Sequence, residues 1–286
     1  MHFASIVFLF LNIWVCISSF AKGEARTLTW IRWNDPPIFI FEAPFKGQGV
    51  LDVVERELIA ALPQYRHKHL EANVPRVLKE AEEKSPICNA GWLDTPEWAK
   101  LFYFSKPVFL IPANGVLLKQ SKLREVKGLK SLQDFLDKKS HWLLGVGRLY
   151  GEGIDEVLFK NDYKKNKKIL PVASSLLVHR MLNTNRVQYT LGYPFEAKYY
   201  DELFGNTKDR VVHVPLSDNK PFVEVVVACP KTEWGKQVIK DVNKALTNLS
   251  LLKRLEKGVA RWHSQEDQKR LEPELVKFYQ RNYPGL

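Results

Sequence analysis

The sequence has little of what usually marks an enzyme. It holds three cysteines and two methionines in 286 residues, too few for a disulfide-built miniprotein, and no CxxC or Cys/His spacing that would hold zinc. There is no GxSxG, HExxH or Walker-type glycine loop, and Gly151-Glu152-Gly153 lacks the third glycine and strand context of a dinucleotide turn. Catalysis is therefore not expected, nor is a cofactor or a metal. The seven histidines are scattered; His67 and His69 share one strand face and are read as surface residues rather than ligands. Acidic residues are also short, 32 against 43 Lys plus Arg, for a formal charge of +11. That charge aids solubility and attracts anions without specificity. Basic and aromatic residues do not gather into a reader motif, so no nucleic-acid partner is expected.

Charge is missing altogether from residues 1–21, which contain no Lys, Arg, Asp or Glu. Ile6–Ile17 is a greasy run, and Ser19-Phe20-Ala21 puts small residues at −3 and −1 before Lys22. This is the pattern of a signal peptide cleaved after Ala21, with an uncleaved anchor as the alternative. Ile13-Trp14-Val15 lacks the small residue that a bacterial lipobox places before its cysteine, here Cys16. A soluble, exported, periplasmic chain is the expectation. Cleavage leaves Cys88 and Cys229, a candidate disulfide in an oxidising compartment; two buried thiols are the alternative.

What is present is an ordinary globular composition, 45% hydrophobic and 26% charged, long enough for two units at roughly 150 residues each. Strand-like and helix-like stretches alternate. Thr27–Trp33, Tyr65–Leu70 and Ile87–Trp92 read as strands, and Val50–Leu62 as a helix ended by Pro63. Asn73 with Pro75 predicts a helix to about Lys84, and Thr95-Pro96-Glu97 another helix start. Pro112-Ala113-Asn114-Gly115 breaks the series. It restarts with a helix capped by Ser131, strands at His141–Gly147 and Val187–Leu191, and helices at Gly151–Phe159 and Phe195–Phe204. The β-branched run Phe222–Ala228 reads as a strand, fully buried if parallel. Helices follow over Thr232–Leu249 and on to about Tyr283, and the Lys164–Lys168 run reads as a solvated loop. The whole predicts an α/β fold in two lobes with two crossings: lobe 1 over residues 22–113 and 222–286, lobe 2 over residues 116–221.

The order of certain fragments resembles the amino-acid type, family 3, periplasmic solute-binding proteins. They are Pro36-Pro37-Ile38-Phe39, Gly47-Gln48-Gly49-Val50, Gly91-Trp92-Leu93-Asp94-Thr95-Pro96-Glu97, Phe104-Ser105-Lys106-Pro107, Gly145-Val146-Gly147, and Val226-Val227-Ala228-Cys229-Pro230-Lys231. The resemblance spans nearly all of the mature chain. It implies two α/β lobes of the type II bilobed fold that close like a hinge on a small ligand, with helix starts at Thr95 and Gly151 offering N–H groups to it.

The chain departs from that family at its two ionic clamps. Where the family carries an arginine for the ligand carboxylate this sequence has Trp98, and where it often carries an aspartate for the ammonium there is Tyr193. A free α-amino acid is therefore not the expected ligand. Trp33, Trp92, Thr95, Trp98, Tyr150, Tyr193 and Glu196 are the candidate ligand-binding residues, with Arg148 as the anion contact. Glu42 and Asp94 are weaker polar candidates. The resemblance implies a monomeric binding protein feeding an ABC-type permease, or a sensing module reporting to a membrane receptor, or less readily an enzyme on the same fold.

Overall fold

The computed structural model describes residues 26–139 and 141–285; the expected signal peptide lies outside them. The first series is β1 (Thr27–Arg32), α1 (Val50–Ala61), β2 (Arg66–Glu71), α2 (Val74–Glu82), β3 (Ile87–Leu93), β4 (Phe102–Phe104) and β5 (Phe109–Pro112). The chain then crosses to a second sheet: β6 (Gly115–Lys119), α3 (Leu132–Lys138), β7 (Leu144–Val146), α4 (Glu152–Lys160), β8 (Ile169–Pro171), α5 (Ser175–Asn183), β9 (Tyr189–Gly192), α6 (Pro194–Phe204) and β10 (Val211–Val214). It returns as β11 (Phe222–Pro230) and ends in α7 (Glu233–Ala245), α8 (Leu249–Ala260) and α9 (Gln265–Asn282).

One sheet has the order β2-β1-β3-β11-β4, with β5 also pairing β11; the other runs β10-β6-β9-β7-β8. β1, β2 and β3 are parallel, and so are β7, β8 and β9. The strand at Phe222, read as fully buried if parallel, is antiparallel to β3, β4 and β5. It is buried because it re-enters the middle of a sheet whose faces helices cover, so its apolar run reports burial rather than direction.

Local signals place most helices. Asn73 accepts from the Arg76 N–H at 3.1 Å, and Ser131 from Asp134 at 3.1 Å, with Asp134 returning to the Ser131 N–H, a capping box. The expected helix from Thr95 is only a three-residue 3₁₀ turn, Trp98–Lys100. Thr95 Oγ1 caps it by accepting from the Trp98 N–H at 3.3 Å. Trp98 packs edge-on against Trp92 at 5.3 Å, and this contact, with β4 following at once, leaves no room for further turns.

Each sheet has its own apolar cluster. Leu28, Trp30, Val54, Leu58, Val227 and Trp262 are among the residues of one; Val116, Leu132, Phe135, Leu144 and Tyr189 belong to the other. Cys88 on β3 and Cys229 on β11 are joined as a disulfide, their Cα atoms 4.4 Å apart. Helix α6 belongs to the second series in sequence, yet Phe195, Tyr199 and Tyr200 are buried in the first cluster. Phe45 meets Tyr199 and Trp262 edge-on at 5.9 and 5.2 Å. Gly205 ends α6 with φ of 64°, a left-handed stop that costs glycine little. Among the described residues no helix is long and apolar enough to cross a membrane.

Candidate functional site

Five of the sequence-derived candidates meet where the two series face one another. Tyr193-Pro194-Phe195-Glu196 starts α6, with proline in the first turn. Glu196 turns back so that its Oε1 accepts from the Tyr193 N–H at 2.9 Å. The same oxygen accepts from the Arg148 guanidinium at 2.6 Å, and Oε2 lies 3.3 Å from His179 Nε2 on α5. His179 is itself stacked on Tyr200 at 3.9 Å.

Arg148, in the loop after β7, also donates to Asn114 Oδ1 and to the Leu149 carbonyl, both at 3.1 Å. Its guanidinium sits over the Tyr150 ring at 4.6 Å and the Tyr193 ring at 5.3 Å, within cation–π range. Asn114 lies in the crossing between β5 and β6 and donates to the Tyr150 carbonyl at 2.8 Å. The crossing between β5 and β6, the arginine loop and the start of α6 are thus one hydrogen-bonded unit.

The opposing group comes from the loop after β1. Trp33 packs edge-on against Phe39 at 5.5 Å, and Asp35, two residues on, lies within electrostatic reach of both Arg148 and Glu196. Tyr200 Oη donates to the Pro36 carbonyl at 3.2 Å, fixing this loop against α6.

The electrostatics separate the two carboxyls. Burial would raise Glu196, which is 4% exposed, but Arg148, His179 and the Tyr193 N–H outweigh it and hold the group at about 2. Asp35 is pushed above the usual carboxylate range, by burial first and by Glu196 second, against weaker pulls from Arg148 and Trp33. Burial also raises the phenols of Tyr150 and Tyr193. The Arg148–Glu196 pair is therefore internally neutral, and Asp35 is the uncompensated group facing it.

The other candidates sit differently. Trp92 is buried against Trp98 and Phe102, in a cluster with Ile31, Val77 and Val226, and Thr95 caps the turn between them. Asp94 is exposed, and Glu42 acts electrostatically on Tyr199. At the start of α4 the Tyr150 and Gly151 N–H groups donate to Asp155 at 2.8 and 3.0 Å, so that helix start is capped from within the chain. His69 pairs with Glu55 at 2.8 Å, and His67 Nδ1 accepts from Trp30 Nε1 at 3.0 Å. Among the described residues no group of three or more side chains could hold a metal ion.

The sequence reading missed Asp35, Asn114 and His179. Asp35 immediately precedes the Pro36-Pro37 pair that carries the resemblance, and Asn114 lies in the predicted break. His179 lies on a helix, α5, that the sequence reading did not identify.

No family model and no curated relative matches the chain. Solved structures do. The probable amino-acid ABC transporter extracellular-binding protein ytmK from Bacillus subtilis is 15% identical, with a TM-score of 0.62 over 85% of this chain and 100% of that one. A putative L-cystine ABC transporter from Listeria monocytogenes is 19% identical, with a TM-score of 0.59 over 85% and 99%. The periplasmic VFT2 domain of BvgS from Bordetella pertussis is 14% identical, with a TM-score of 0.58 over 83% and 93%. The chain therefore has the two-lobed α/β fold of type II periplasmic binding proteins, the fold that its sequence fragments resemble.

Proposed function

We propose that this chain is an exported, extracytoplasmic binding module that holds a small polar ligand between its lobes and performs no chemistry. Lobe 1 would comprise residues 22–113 and 222–286, and lobe 2 residues 116–221. What supports the reading is that Asp35, in the loop after β1, lies within electrostatic reach of the Arg148–Glu196 pair beside β7 and α6. The ligand donates a hydrogen bond to Asp35 and presents a flat or polar face to Trp33 and the Arg148–Tyr193 unit. A ligand carboxylate is disfavoured, because Arg148 is already matched by Glu196 and an added anion would sit beside two carboxyls. A free α-amino acid is thus a poor fit, in keeping with Trp98 and Tyr193 at the family's clamp positions.

Delivery to an ABC-type permease is one use of such a module, and the similar Bacillus and Listeria proteins are ABC transporter components. Sensing for a membrane receptor is the second, and the packing of α6 favours it. Burying Phe195, Tyr199 and Tyr200 in the other lobe's core is worth about 1.5–3 kcal/mol per side chain. A delivery protein must give that up at each release, whereas a signalling module can remain shut and respond by a smaller adjustment. Solved neighbours include a histidine kinase sensor domain, 14% identical with a TM-score of 0.61.

A thermal-shift screen of the mature chain against sugars, nucleosides, amines and α-amino acids tests the ligand class. Stabilisation by a non-acidic donor, lost in Asp35→Asn, is expected. Strong stabilisation by a plain α-amino acid would refute it.

A further inference from the structure

The lysine-rich segment Phe159–Lys168 joins α4 to β8, at the opposite end of α4 from the arginine loop. It holds five lysines, one acidic residue and no arginine. The chain itself holds the segment in shape. The Lys165 and Asn166 N–H groups donate to the Asp162 carbonyl at 2.8 and 2.9 Å, and the Tyr163 N–H to Leu158 at 3.1 Å. Lys168 Nζ donates to the Leu136 carbonyl at 2.9 Å, which brings the end of α3, with Lys138 and Lys139, beside the loop. Phe159 is 57% exposed at this surface. Its ring meets Tyr163 edge-on at 5.8 Å, and Lys164 Nζ lies over the Tyr163 ring at 5.9 Å. Lys165 pairs with Asp162 and Lys138 with Asp134. Among the described residues Lys139, Lys160, Lys164 and Lys167 make no ion pair. Asp134, Asp137, Glu156 and Asp162 stand against seven lysines, so the patch stays cationic.

A lysine run alone reads as a solvated loop; an exposed phenylalanine among unpaired ammonium groups adds the chemistry of a partner. Protein interfaces are poor in lysine, and the loop lacks the planar fork of arginine that reads a carboxylate or phosphate in two bonds. Point charges around an apolar ring fit anionic headgroups above acyl chains, the ring entering the boundary while the ammonium groups stay at headgroup level. We infer that the Phe159–Lys168 segment, with the end of α3, is a docking surface for an anionic lipid bilayer. Helix α4, nine residues long, holds this surface roughly 13 Å from the arginine loop, so docking leaves the candidate ligand site uncovered. The inference does not rest on the ligand or the use proposed for that site.

Co-sedimentation of residues 22–286 with vesicles of phosphatidylcholine alone, or of phosphatidylcholine and phosphatidylglycerol in equal parts, tests it. Binding should require phosphatidylglycerol and weaken as salt is added. The triple variant Lys160→Gln, Lys164→Gln and Lys167→Gln should bind about 100-fold more weakly, at about fivefold per lysine, and Phe159→Ser about tenfold more weakly. A second triple variant, Lys236→Gln, Lys240→Gln and Lys244→Gln on α7, makes the same change in net charge elsewhere and should stay within about twofold of the wild type. All seven side chains are exposed, so the variants should keep the wild-type Tm. No binding to the phosphatidylglycerol vesicles, equal losses in the two triple variants, or full binding by Phe159→Ser would each overturn the inference. None of these results bears on the ligand screen, which is run without vesicles.

Discussion

Glu196 is a buried carboxylate kept ionised by Arg148, His179 and the Tyr193 N–H, at about 2 against an ordinary 4.5. A carboxyl whose folded value lies below its unfolded one contributes fully above the unfolded value and loses that contribution as the pH falls through the folded one. Stability should therefore drop by about 3 kcal/mol between pH 4.5 and pH 2 on account of this group, measurable by urea unfolding across that range. Arg148→Met leaves the carboxylate buried and unpaired and should cost about 3–5 kcal/mol at pH 7. Its acid-side loss should be smaller, because Glu196 then takes up its proton in the folded state. Asp35 has the opposite sign, since its folded value is raised: it favours folding in acid and opposes it as the pH rises. Asp35→Asn should stabilise the chain at neutral pH while weakening the ligand, a trade that identifies a site residue rather than a structural one. Parallel unfolding and binding measurements on this variant would show both halves or refute the assignment.

At the scale of elements, the disulfide ties β3 to β11 across a separation of 141 residues. A loop of that size constrains the unfolded chain strongly, so replacing Cys88 and Cys229 by alanine should cost about 2–5 kcal/mol, read as a lowered Tm. Helices whose ends carry their own caps, such as those begun by Asn73 and Ser131, were legible in the sequence because the signal is local. Thr95 carried the same kind of cap and Pro96 the same proline, yet the edge-on packing of Trp98 against Trp92 won, and no local pattern encodes a tertiary contact of that sort. Short strands such as β4 and β8 went unread because three residues give no period to detect. The site divides in the same way. Arg148, Tyr150, Tyr193 and Glu196 enter as candidates through the loops of a resembled fold, whereas Asp35 and His179 join them only because distant segments meet.

For the whole molecule, α6 decides how the lobes behave. Its aromatic face is built into the apolar cluster of the first sheet, so scattering from residues 22–286 without added ligand should match a form with that contact made. Phe45 braces that contact against Tyr199 and Trp262; Phe45→Ala should cost about 2–4 kcal/mol and increase the radius of gyration. Under the proposed function, a ligand would add its contacts from both lobes to a form that is already shut. Calorimetric titration of the best compound from the screen into the wild type, Asp35→Asn and Arg148→Lys tests this most directly, one variant from each lobe. The account predicts at least a tenfold loss of affinity in both variants; full affinity in either one would contradict a ligand held between the lobes.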